Sequence, residues 1–401
     1  MKVVHINTLA TSGAAIAALR LHQGLLDLGV DSSFLTLGNA DKRTKVVTVY
    51  RPLSYLARVL NRLGLPLTVE QKNAAKIRAG GDYEIFTFPT SSIDLANHPL
   101  VKSADIIHLH WVANFLDYPT FFRTINKPIV WTLHDMNPFQ GGFHYQADMD
   151  RNKNTSLRRL DRKLVLQKQQ AIQACENLHV VSPSQWLMEA SQRSEILGRF
   201  PHYHIPYGMD TSSYKPYEQQ LARDVFKLPL NKRLLLFVSD HVSNKRKGFD
   251  LLETAIHGSS WEDDIVFCAV GHSDGQSFSD KIIHLGHISD DRLMPLLYSA
   301  VDAVIIPSRE DNLPNVMIEA LACGTPVIGF PIGGIKEVVG SDDIGVLSKE
   351  VGAKALSLAI QAFLDRSDKF DRQFIREFGE RSFGLLRQGQ RYIDLYEALL
   401  K

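Results

Sequence analysis

The stretch AVIIPSREDNLPNVMIEALACGTPVIGF, residues 303–330, contains a strand, a loop, a helix and a second strand. Its first and last four residues are apolar, as in buried parallel strands. Between them, Asn312 suits the N-cap, Pro314 suits the first helical turn, and Gly324 suits the position just past a helix end. The stretch therefore predicts a helix that begins at Leu313 or Pro314 inside a parallel α/β unit.

The same alternation of strands and helices continues outward through the 401 residues. It restarts after IPYGMD, residues 205–210, so we predict an N-terminal domain at 1–207 and a second at 208–375. The last helix, 376–401, is expected to pack back on the first domain. The predicted strands lie at 2–7, 33–37, 106–109, 129–132, 178–182, 233–238, 265–270, 282–285, 303–306 and 327–330, and predicted helices span 13–28 or begin at 249, 290 and 314.

These patterns predict an α/β fold with two doubly wound, Rossmann-like domains that face a central cleft. Ligands of open α/β sheets bind at the carboxyl ends of the strands, so the informative residues should lie there. The formal net charge of +1 argues against a protein held to nucleic acid by bulk charge. Three widely separated cysteines predict neither a zinc site nor a disulfide framework. The few, widely separated cysteines fit a reducing, cytoplasmic setting. The N-terminus predicts no signal peptide, and no run of 18 apolar residues predicts a spanning helix.

Three acids in the opening stretch, Glu310, Asp311 and Glu319, are candidates for ligand binding. The helix N-terminus beside them is expected to point into the cleft, where its amides and positive dipole would attract a diphosphate. The alternative is that the acids only complement the dipole and solvate the helix. The residues of this terminus predicted to meet the ligand are Leu313, Pro314 and Asn315.

The segment SNKRKGFDLL, residues 243–252, places three cations just before a glycine and a helix. It follows the first strand of the second domain, so it should lie at the same edge as the acids. Lysine or arginine beside a helix N-terminus can clamp a phosphate, whereas the alternative is a solvated basic loop. Carboxylates that hold hydroxyls, together with cations that hold phosphates, indicate a nucleotide sugar as ligand.

The chain resembles retaining glycosyltransferase family 4, whose members have the GT-B fold, over nearly its whole length. PSREDNLPNVMIEALACG, residues 307–324, is similar to the family segment with two acids separated by seven residues. Asp311 falls on the first acid and Glu319 on the second, with Glu310 beside the first. The linker IPYGMDTSSYKP resembles the family signature, with Tyr207 in place of its asparagine.

The basic segment carries a second part of the resemblance. Lys247 and Gly248 match the K-G pair that follows the first strand of the family's second domain. The family's arginine five residues earlier is replaced by Val242, and Arg246 or Lys245 is the candidate to substitute for it.

The first domain contributes further candidates. The loop TSGAA around Gly13 follows the first strand, and its small residues allow a backbone to approach a phosphate or sugar. The resemblance places the family's active-site histidine on His134, with Asp135 beside it, and a second family histidine on His110. Trp111 can stack on a sugar face, although core packing explains it equally well.

The resemblance implies transfer of a sugar, with retention of configuration, from a UDP- or GDP-sugar to a saccharide. Lys247, His134 and Asp311 are then catalytic, and no metal or other cofactor is needed, because the cations and the dipole stabilise the leaving diphosphate. The Asp-x-Asp motif at Asp148 and Asp150 falls in a segment predicted to be a loop and is discounted as a metal site. A nucleotide-sugar epimerase of the same fold and a catalytically silent binding protein stay open as alternatives.

Two basic segments suggest how an acceptor is reached. RPLSYLARVLNR, residues 51–62, can form a basic amphipathic helix, and residues 151–168 carry seven cations and one acid. Each segment can be read as a solvated surface. The alternative is that both segments bind an anionic membrane surface, where a polyprenyl-linked saccharide acceptor is present. The motifs SGAAIAALRLH, WTLHDMNPF and RKGFDLL resemble the exopolysaccharide and capsule branch of the family, which implies bacterial surface polysaccharide synthesis.

Overall fold

The computed structural model describes residues 1–37, 46–48, 68–77, 80–153, 155–273, 275 and 278–401. These residues form two compact units, each built on its own parallel sheet. The first unit comprises Met1–Ile205 and Gln388–Lys401, and the second comprises Pro206–Arg387.

The first unit contains a sheet of seven described strands. They are β1 (Lys2–Asn7), β2 (Asp31–Thr36), β3 (Val46–Thr48), β4 (Ile106–Leu109), β5 (Ile129–Thr132), β6 (Leu178–Ser182) and β7 (His202–His204). They pair in the order β3-β2-β1-β4-β5-β6-β7, so the direction of winding changes between β1 and β4. The described helices are α1 (Gly13–Asp27), α2 (Val69–Lys76), α3 (Pro99–Ser103), α4 (Tyr118–Thr124), α5 (Gln146–Arg151), α6 (Ser156–Ile172) and α7 (Gln185–Gln192), with a 3₁₀ turn at Asn137–Phe139.

The second unit repeats this winding with six described strands. They are β8 (Arg233–His241), β9 (Ile265–His272), β10 (Ile282–His284), β11 (Ala303–Ile306), β12 (Val327–Gly329) and β13 (Gly345–Leu347), in the order β10-β9-β8-β11-β12-β13. The helices are α8 (Gln219–Val225), α9 (Phe249–His257), α10 (Met294–Ala300), α11 (Asn315–Ala322), α12 (Gly333–Val338), α13 (Ala353–Leu364) and α14 (Arg372–Phe383), with 3₁₀ turns at Lys245–Lys247, Asp291–Leu293 and Ser367–Lys369.

The strands are buried because helices cover both sheets, and this burial explains which strands the sequence predicts well. Every residue of β4, β5 and β11 is buried. The predicted strands at 2–7, 106–109, 129–132, 178–182 and 303–306 have the same bounds in the structure. The strands β3, β7 and β13 were not predicted, and each has only three residues. The strands β10 and β12 are equally short but were predicted, each one residue too long at its end.

The predicted C-terminal helix at 376–401 is two helices in the structure. Helix α14 ends at Phe383, and α15 (Leu385–Leu399) follows after Gly384, whose ψ of 131° is extended. The backbone of Met209 pairs with this break: its N–H donates to the carbonyl of Phe383 at 2.7 Å, and its carbonyl accepts from Leu385 at 3.0 Å. A tertiary contact therefore separates the helices, and the second unit ends at Arg387 instead of the predicted residue 375.

Helix α15 is part of the core of the first unit through two buried tyrosines. The hydroxyl of Tyr396 lies 2.6 Å from Nδ1 of His108, and that of Tyr392 lies 2.7 Å from Oγ1 of Thr132. Nε2 of His108 completes the network at 2.7 Å from the same Thr132 oxygen. His108 is fully buried within β4, so this histidine is a residue of the core.

Of the two basic segments predicted to contact a membrane, the structure describes nearly all of the second. Residues 51–62 lie outside the described residues. Residues 151–168 include the end of α5 and most of α6, where Arg159, Arg162 and Lys163 are exposed and Lys168 is buried. In the part of the chain that the structure describes, no helix combines the length and the apolar character needed to cross a bilayer.

The core of the first unit contains histidines that burial keeps neutral. His5, His108 and His110 have pKa values well below the ordinary 6.5, because burial disfavours the charged ring and the neighbouring histidines repel a proton. Burial lowers the pKa of His134 to about 4, although the charge of Asp135 opposes the shift. At a pH between these lowered pKa values and 6.5, the same histidines bind protons in the unfolded chain but not in the folded chain.

We therefore expect the protein to lose stability as the pH falls below about 6.5 and down through the folded-state values. Each such histidine contributes up to about 1.4 kcal/mol of lost unfolding free energy per pH unit in that window. Denaturant midpoints at pH 7.5 and 5.5 measure the effect, and equal midpoints would contradict it. A variant at an exposed histidine, His257→Gln, serves as the control and should keep the pH dependence of the parent.

Candidate functional site

The loops that follow β8 and β11 meet at the carboxyl edge of the second sheet. These two strands are neighbours, and the winding of the sheet reverses between them. Such a switch point leaves room for a ligand beside the strand ends. The predicted basic segment follows β8 and the predicted acidic segment follows β11, so the structure brings them together.

The basic segment is shaped by a turn and a glycine. The side chain of Asn244 accepts a hydrogen bond from the Arg246 amide at 3.0 Å and caps the short 3₁₀ turn that holds the cations. Gly248 then adopts a left-handed φ of +75°, and a Cβ atom there would lie 1.8 Å from the carbonyl oxygen of Pro307. Only glycine fits this approach, so the K-G pair positions Lys247 over the end of β11.

Asp311 is the carboxylate that meets the cations of the basic segment. Its Oδ2 atom lies 2.6 Å from Nζ of Lys247 and accepts from the Ser308 hydroxyl at 3.1 Å, while an Arg246 nitrogen lies 3.9 Å away. Burial alone would raise the pKa of Asp311, but the two cations and the hydrogen bonds from Lys247 and Ser308 hold it below its usual value. Asp311 is therefore an ionised carboxylate in contact with an ammonium group.

Arg309 ties the two loops together and was not singled out by the sequence analysis. Its amide donates to the Arg246 carbonyl at 2.8 Å, and its guanidinium group donates to the two carboxylate oxygens of Asp250 at 2.7 and 2.6 Å. A bidentate pair of this kind fixes orientation as well as distance. In the sequence, this pair was visible only as an arginine within the acidic segment and an aspartate within the basic one.

Two glycines support the acidic loop from the next β-strand connection. A Cβ atom on Gly333, whose φ is +44°, would lie 1.9 Å from the carbonyl oxygen of Asp311. The Gly334 amide donates to the carbonyl of Asn312 at 2.6 Å. This glycine pair was not predicted, because each glycine contacts a residue 22 positions earlier in the chain.

The start of helix α11 differs from the prediction. The helix begins at Asn315, with Pro314 in extended conformation as its N-cap, so the predicted start at Leu313 or Pro314 is wrong by one or two residues. Asn312 is not the cap, since it belongs to the loop that the glycines support. Pro314 has no N–H to offer a ligand, and the first helical amides are those of Asn315 and Val316.

The other two acids of the opening stretch are buried. Glu319 lies on α11, 7% exposed, and its Oε2 atom accepts a hydrogen bond from the buried hydroxyl of Tyr298 at 2.7 Å. Glu310 is 9% exposed, and its backbone carbonyl accepts from the Arg246 guanidinium at 3.2 Å. Arg246 thus contacts the main chain of Glu310, while Lys247 contacts the carboxylate of Asp311.

In the first unit, the predicted residues lie on the loops after β1, β4 and β5. Helix α1 begins at Gly13, and the Ser12 hydroxyl caps it by accepting from the Ala15 amide at 3.1 Å. His110 and Trp111 follow β4, and His134 follows β5. Nδ1 of His110 lies 3.2 Å from Nε2 of His134, so these two histidines form a direct contact.

Asp135 is a buried anchor with three donors. It accepts from the Trp111 indole at 2.7 Å, from the Asn137 amide at 2.9 Å, and its Oδ2 atom lies 2.6 Å from Nδ1 of His144. Burial alone would raise the pKa of Asp135, but His144 and these hydrogen bonds lower it overall. Nε2 of His144 contacts Oγ1 of Thr87 at 2.9 Å, which extends the network into the core. Asp135 and Trp111, both predicted on the acceptor side, therefore contact each other.

Lys168 supports the loop after β5 from helix α6. Its buried ammonium group donates to the carbonyl of Asn137 and, at 3.0 Å, to that of Gln140. Burial lowers the pKa of Lys168 to about 7, although Asp161 and Asp135 oppose the shift. Lys168 was predicted to be one of the solvated or membrane-facing cations, and its burial corrects that prediction.

Among the described residues, three groups of side chains have the composition of metal ligands, and their present contacts do not aim all of their ligand atoms at one point. In the group of His5, His108 and His110, both nitrogens of His108 are hydrogen-bonded. The exposed group of Asp240, His272 and His287 includes two imidazoles stacked 4.1 Å apart at 15°, so their in-plane lone pairs run parallel. The Asp-x-Asp motif lies in helix α5, not in the predicted loop, and Asp148 accepts from the Glu84 amide and from Arg151.

Comparison with known proteins agrees with this architecture. Residues 218–380 match the model of the family described as Glycosyl transferases group 1. The D-inositol 3-phosphate glycosyltransferase of Streptosporangium roseum is 26% identical over 264 residues, which are 61% of this chain and 57% of that protein. The putative teichuronic acid biosynthesis glycosyltransferase TuaC of Bacillus subtilis is 28% identical over 186 residues, 46% of each chain. The chain thus spans 57% and 46% of these two curated relatives.

Solved structures match over almost the whole chain. Sucrose-phosphate synthase from Thermosynechococcus elongatus has a TM-score of 0.70 at 20% identity and covers 99% of this chain and 100% of its own. HepE from Anabaena, in complex with UDP-glucose, has a TM-score of 0.68 at 16% identity with the same coverage. At these identities the likeness concerns the fold, and the predicted GT-B fold class is confirmed. The chain therefore has the GT-B fold, and its residues 218–380 match the glycosyl transferases group 1 family.

Proposed function

We propose that the protein is a retaining glycosyltransferase that moves a sugar from a nucleoside diphosphate sugar to a saccharide acceptor. The contact between Lys247 and Asp311 carries this proposal, because it places a cation and a carboxylate 2.6 Å apart at a switch point. A nucleotide sugar presents phosphate oxygens and sugar hydroxyls on neighbouring atoms. Lys247 can donate hydrogen bonds to the phosphate, and Asp311 beside it can accept one from a sugar hydroxyl.

In the proposed reaction, the bond between the anomeric carbon and the β-phosphate oxygen breaks as the acceptor hydroxyl oxygen attacks the same face. The leaving phosphate gains negative charge and takes the proton of the acceptor hydroxyl. Lys247 and Arg246 stabilise that charge, together with the first amides of α11, Asn315 and Val316. These groups are held in place before the reaction by Gly248 and by the Arg309–Asp250 pair, so little reorganisation is needed.

We assign the remaining predicted residues to neighbouring parts of the donor and to the acceptor. Glu319, oriented by the Tyr298 hydroxyl, is proposed to hold the ribose hydroxyls. In the first unit, Gly13 is proposed to approach the donor, and His134 to act on the reacting groups. His110, Trp111 and Asp135 are proposed to line the acceptor side.

The acceptor is proposed to be polyprenyl-linked and to serve bacterial surface polysaccharide synthesis at the inner face of the cell membrane. Helix α6 supports this part of the proposal, since Arg159, Arg162, Lys163 and Leu166 are exposed along it at helical spacing. Arg162 also contacts Glu195 at 2.9 Å, so part of this charge is compensated within the protein. The relative TuaC, named for teichuronic acid biosynthesis, agrees with a surface polysaccharide.

Release of nucleoside diphosphate from UDP-, GDP- and ADP-sugars, measured with and without saccharide acceptors, tests the proposed function. We expect release with one donor that depends on the acceptor, and a product that keeps the anomeric configuration by NMR. Conversion of the sugar without an acceptor would instead identify an epimerase, and binding without turnover would identify a silent protein. Acceptors with and without a polyprenyl diphosphate anchor, offered in anionic vesicles, test the membrane-linked part.

Removal of the Lys247 ammonium group should slow the reaction without unfolding the protein. Lys247→Ala is expected to lower turnover about a hundredfold or more, on the order of 3 kcal/mol of transition-state stabilisation. Lys354→Ala, which removes an exposed charge on α13 of the same unit, is the matched control. Turnover of Lys247→Ala within about threefold of the parent would refute the assignment.

The two acids beside the β11 strand end should differ in their effects. Asp311→Asn removes the charge that contacts Lys247, and we expect at least about tenfold lower turnover. Glu310→Gln leaves the backbone carbonyl that Arg246 contacts and should have a much smaller effect. Both variants are measured with the same donor and acceptor, and the reverse order would identify Glu310 as the acid that contacts the sugar.

A further inference from the structure

The 137–143 loop, which follows β5, is held by two buried charged residues of helix α6. Oδ1 of Asp161 accepts hydrogen bonds from the amides of Gly142 and Phe143 at 2.6 and 3.3 Å. Lys168 lies about two turns further along the helix, on the same face, and contacts the other end of the loop. One end of the loop is therefore held by an anion and the other end by a cation.

The described hydrogen bonds of Lys168 all go to uncharged oxygen atoms of this loop. Its ammonium group donates to the carbonyl of Asn137, to the side-chain oxygen of the same residue at 3.3 Å, and to the carbonyl of Gln140 at 3.0 Å. An ammonium group has three N–H bonds, so the loop offers an acceptor to each. Burying a charge is costly, and an unbranched apolar side chain such as methionine would fill similar space without that cost. Core packing therefore does not explain why a lysine stands at this position.

Asn137 connects Lys168 to residues proposed to line the acceptor side. Its amide donates to Oδ1 of Asp135 at 2.9 Å, and Oδ2 of Asp135 accepts from the Trp111 indole at 2.7 Å. Asp135, Asn137 and Pro138 line the same cavity as Trp111. Lys168 therefore acts on this cavity through Asn137, from the side of helix α6.

We propose that Lys168 is a positioning residue for the acceptor, because its charged form holds the 137–143 loop, and with it the cavity, in the shape that binds a saccharide. This inference rests on the proposed function, which assigns the acceptor to this cavity. Loss of the ammonium proton would leave an amine with two N–H bonds and a lone pair. One of the three acceptors in the loop would then lose its donor, and an unmet buried acceptor costs free energy. The loop would loosen and bind the acceptor less tightly, while the donor groups of the second unit keep their contacts.

Ionisable groups from three elements face Lys168. Burial lowers the pKa of Lys168 to about 7, although Asp161 on its own helix and Asp135 after β5 favour the ammonium form. Tyr118 of α4 has its ring centroid 5.6 Å from Nζ, and burial raises the pKa of its hydroxyl, so this group stays neutral near pH 7. His144, which contacts Asp135, is a further ionisable group of the network. We therefore expect Lys168 to change charge between about pH 6 and pH 8, one unit on either side of its pKa.

Hydrogen exchange of the ligand-free protein tests the hold on the loop. After correction for the intrinsic pH dependence of exchange, the amides of the 137–143 loop should lose at least about threefold protection from pH 6 to pH 8, and those of β5 should keep theirs. In Lys168→Met the loop should be weakly protected at both pH values. Protection that does not change with pH in the parent would overturn the proposal. The same pH change in Lys168→Met would also overturn it, and would assign the change to another group such as His144.

The kinetics of Lys168→Met test the consequence for the reaction. We expect the KM for the acceptor to rise about fivefold at pH 6, with the KM for the donor within about twofold of the parent. In the parent, the KM for the acceptor should rise from pH 6 to pH 8, and in the variant it should not. An unchanged KM for the acceptor in Lys168→Met would overturn the proposed role.

Lys127→Met is the matched control, because the ammonium group of Lys127 also donates to three main-chain carbonyls of the first unit, those of Val101, Lys102 and Ala104. Lys127 precedes β5, at the amino end of the strand, so its loss should leave the protection of the loop and both KM values unchanged. An equal rise of the acceptor KM in both variants would show a general loss of structure and overturn the proposal.

If Lys168→Met does not fold, the pH dependence of loop protection in the parent still decides the inference. That measurement needs no turnover. It therefore separates failure of this inference from failure of the proposed function, which the release of nucleoside diphosphate tests.

Discussion

The approach of Gly248 to the carbonyl oxygen of Pro307 is the constraint on which the candidate donor site depends. A side chain at Gly248 would separate the loop after β8 from the loop after β11. With glycine there, the two loops touch, and Lys247 reaches Asp311 while Arg309 reaches Asp250. The chemistry of the site thus follows from one backbone contact, which two adjacent parallel strands bring into register.

The two units hold their polar groups in different ways. In the second unit the charged groups are paired: Lys247 with Asp311, and Arg309 with Asp250. In the first unit, rings that burial keeps neutral reach from the core towards the surface at His134, and Asp135 is the ionised group that three donors surround. Burying a charge is costly unless it is paired, and a neutral imidazole largely avoids that cost. Both arrangements hold polar side chains in hydrogen-bonded contacts at strand ends.

The sequence predicted the strands and the two motifs because these features are local. Short runs rich in β-branched and apolar residues defined five strands to the residue, and the K-G and paired-acid motifs fell on loops that meet in space. The errors come from contacts between distant parts of the chain. The glycine pair at 333 and 334 holds Asn312 in a loop instead of a helix cap, and Met209 interrupts the predicted terminal helix at Gly384. Likewise, nothing in the local sequence around His5 indicates that it contacts His110, more than a hundred residues away.

The pairing of Lys247 with Asp311 also bears on how a donor would enter the site. The carboxylate of Asp311 neutralises the ammonium group of Lys247, so the site does not hold an uncompensated cation in a partly buried position. Under the proposed function, a diphosphate carries more negative charge than one carboxylate and would compete with Asp311 for Lys247. The carboxylate released in this exchange would then be available to a sugar hydroxyl next to the phosphate. The contact between Lys247 and Asp311 can therefore couple recognition of the phosphate to recognition of the sugar. When Lys247 binds the phosphate, the carboxylate of Asp311 becomes available to a hydroxyl.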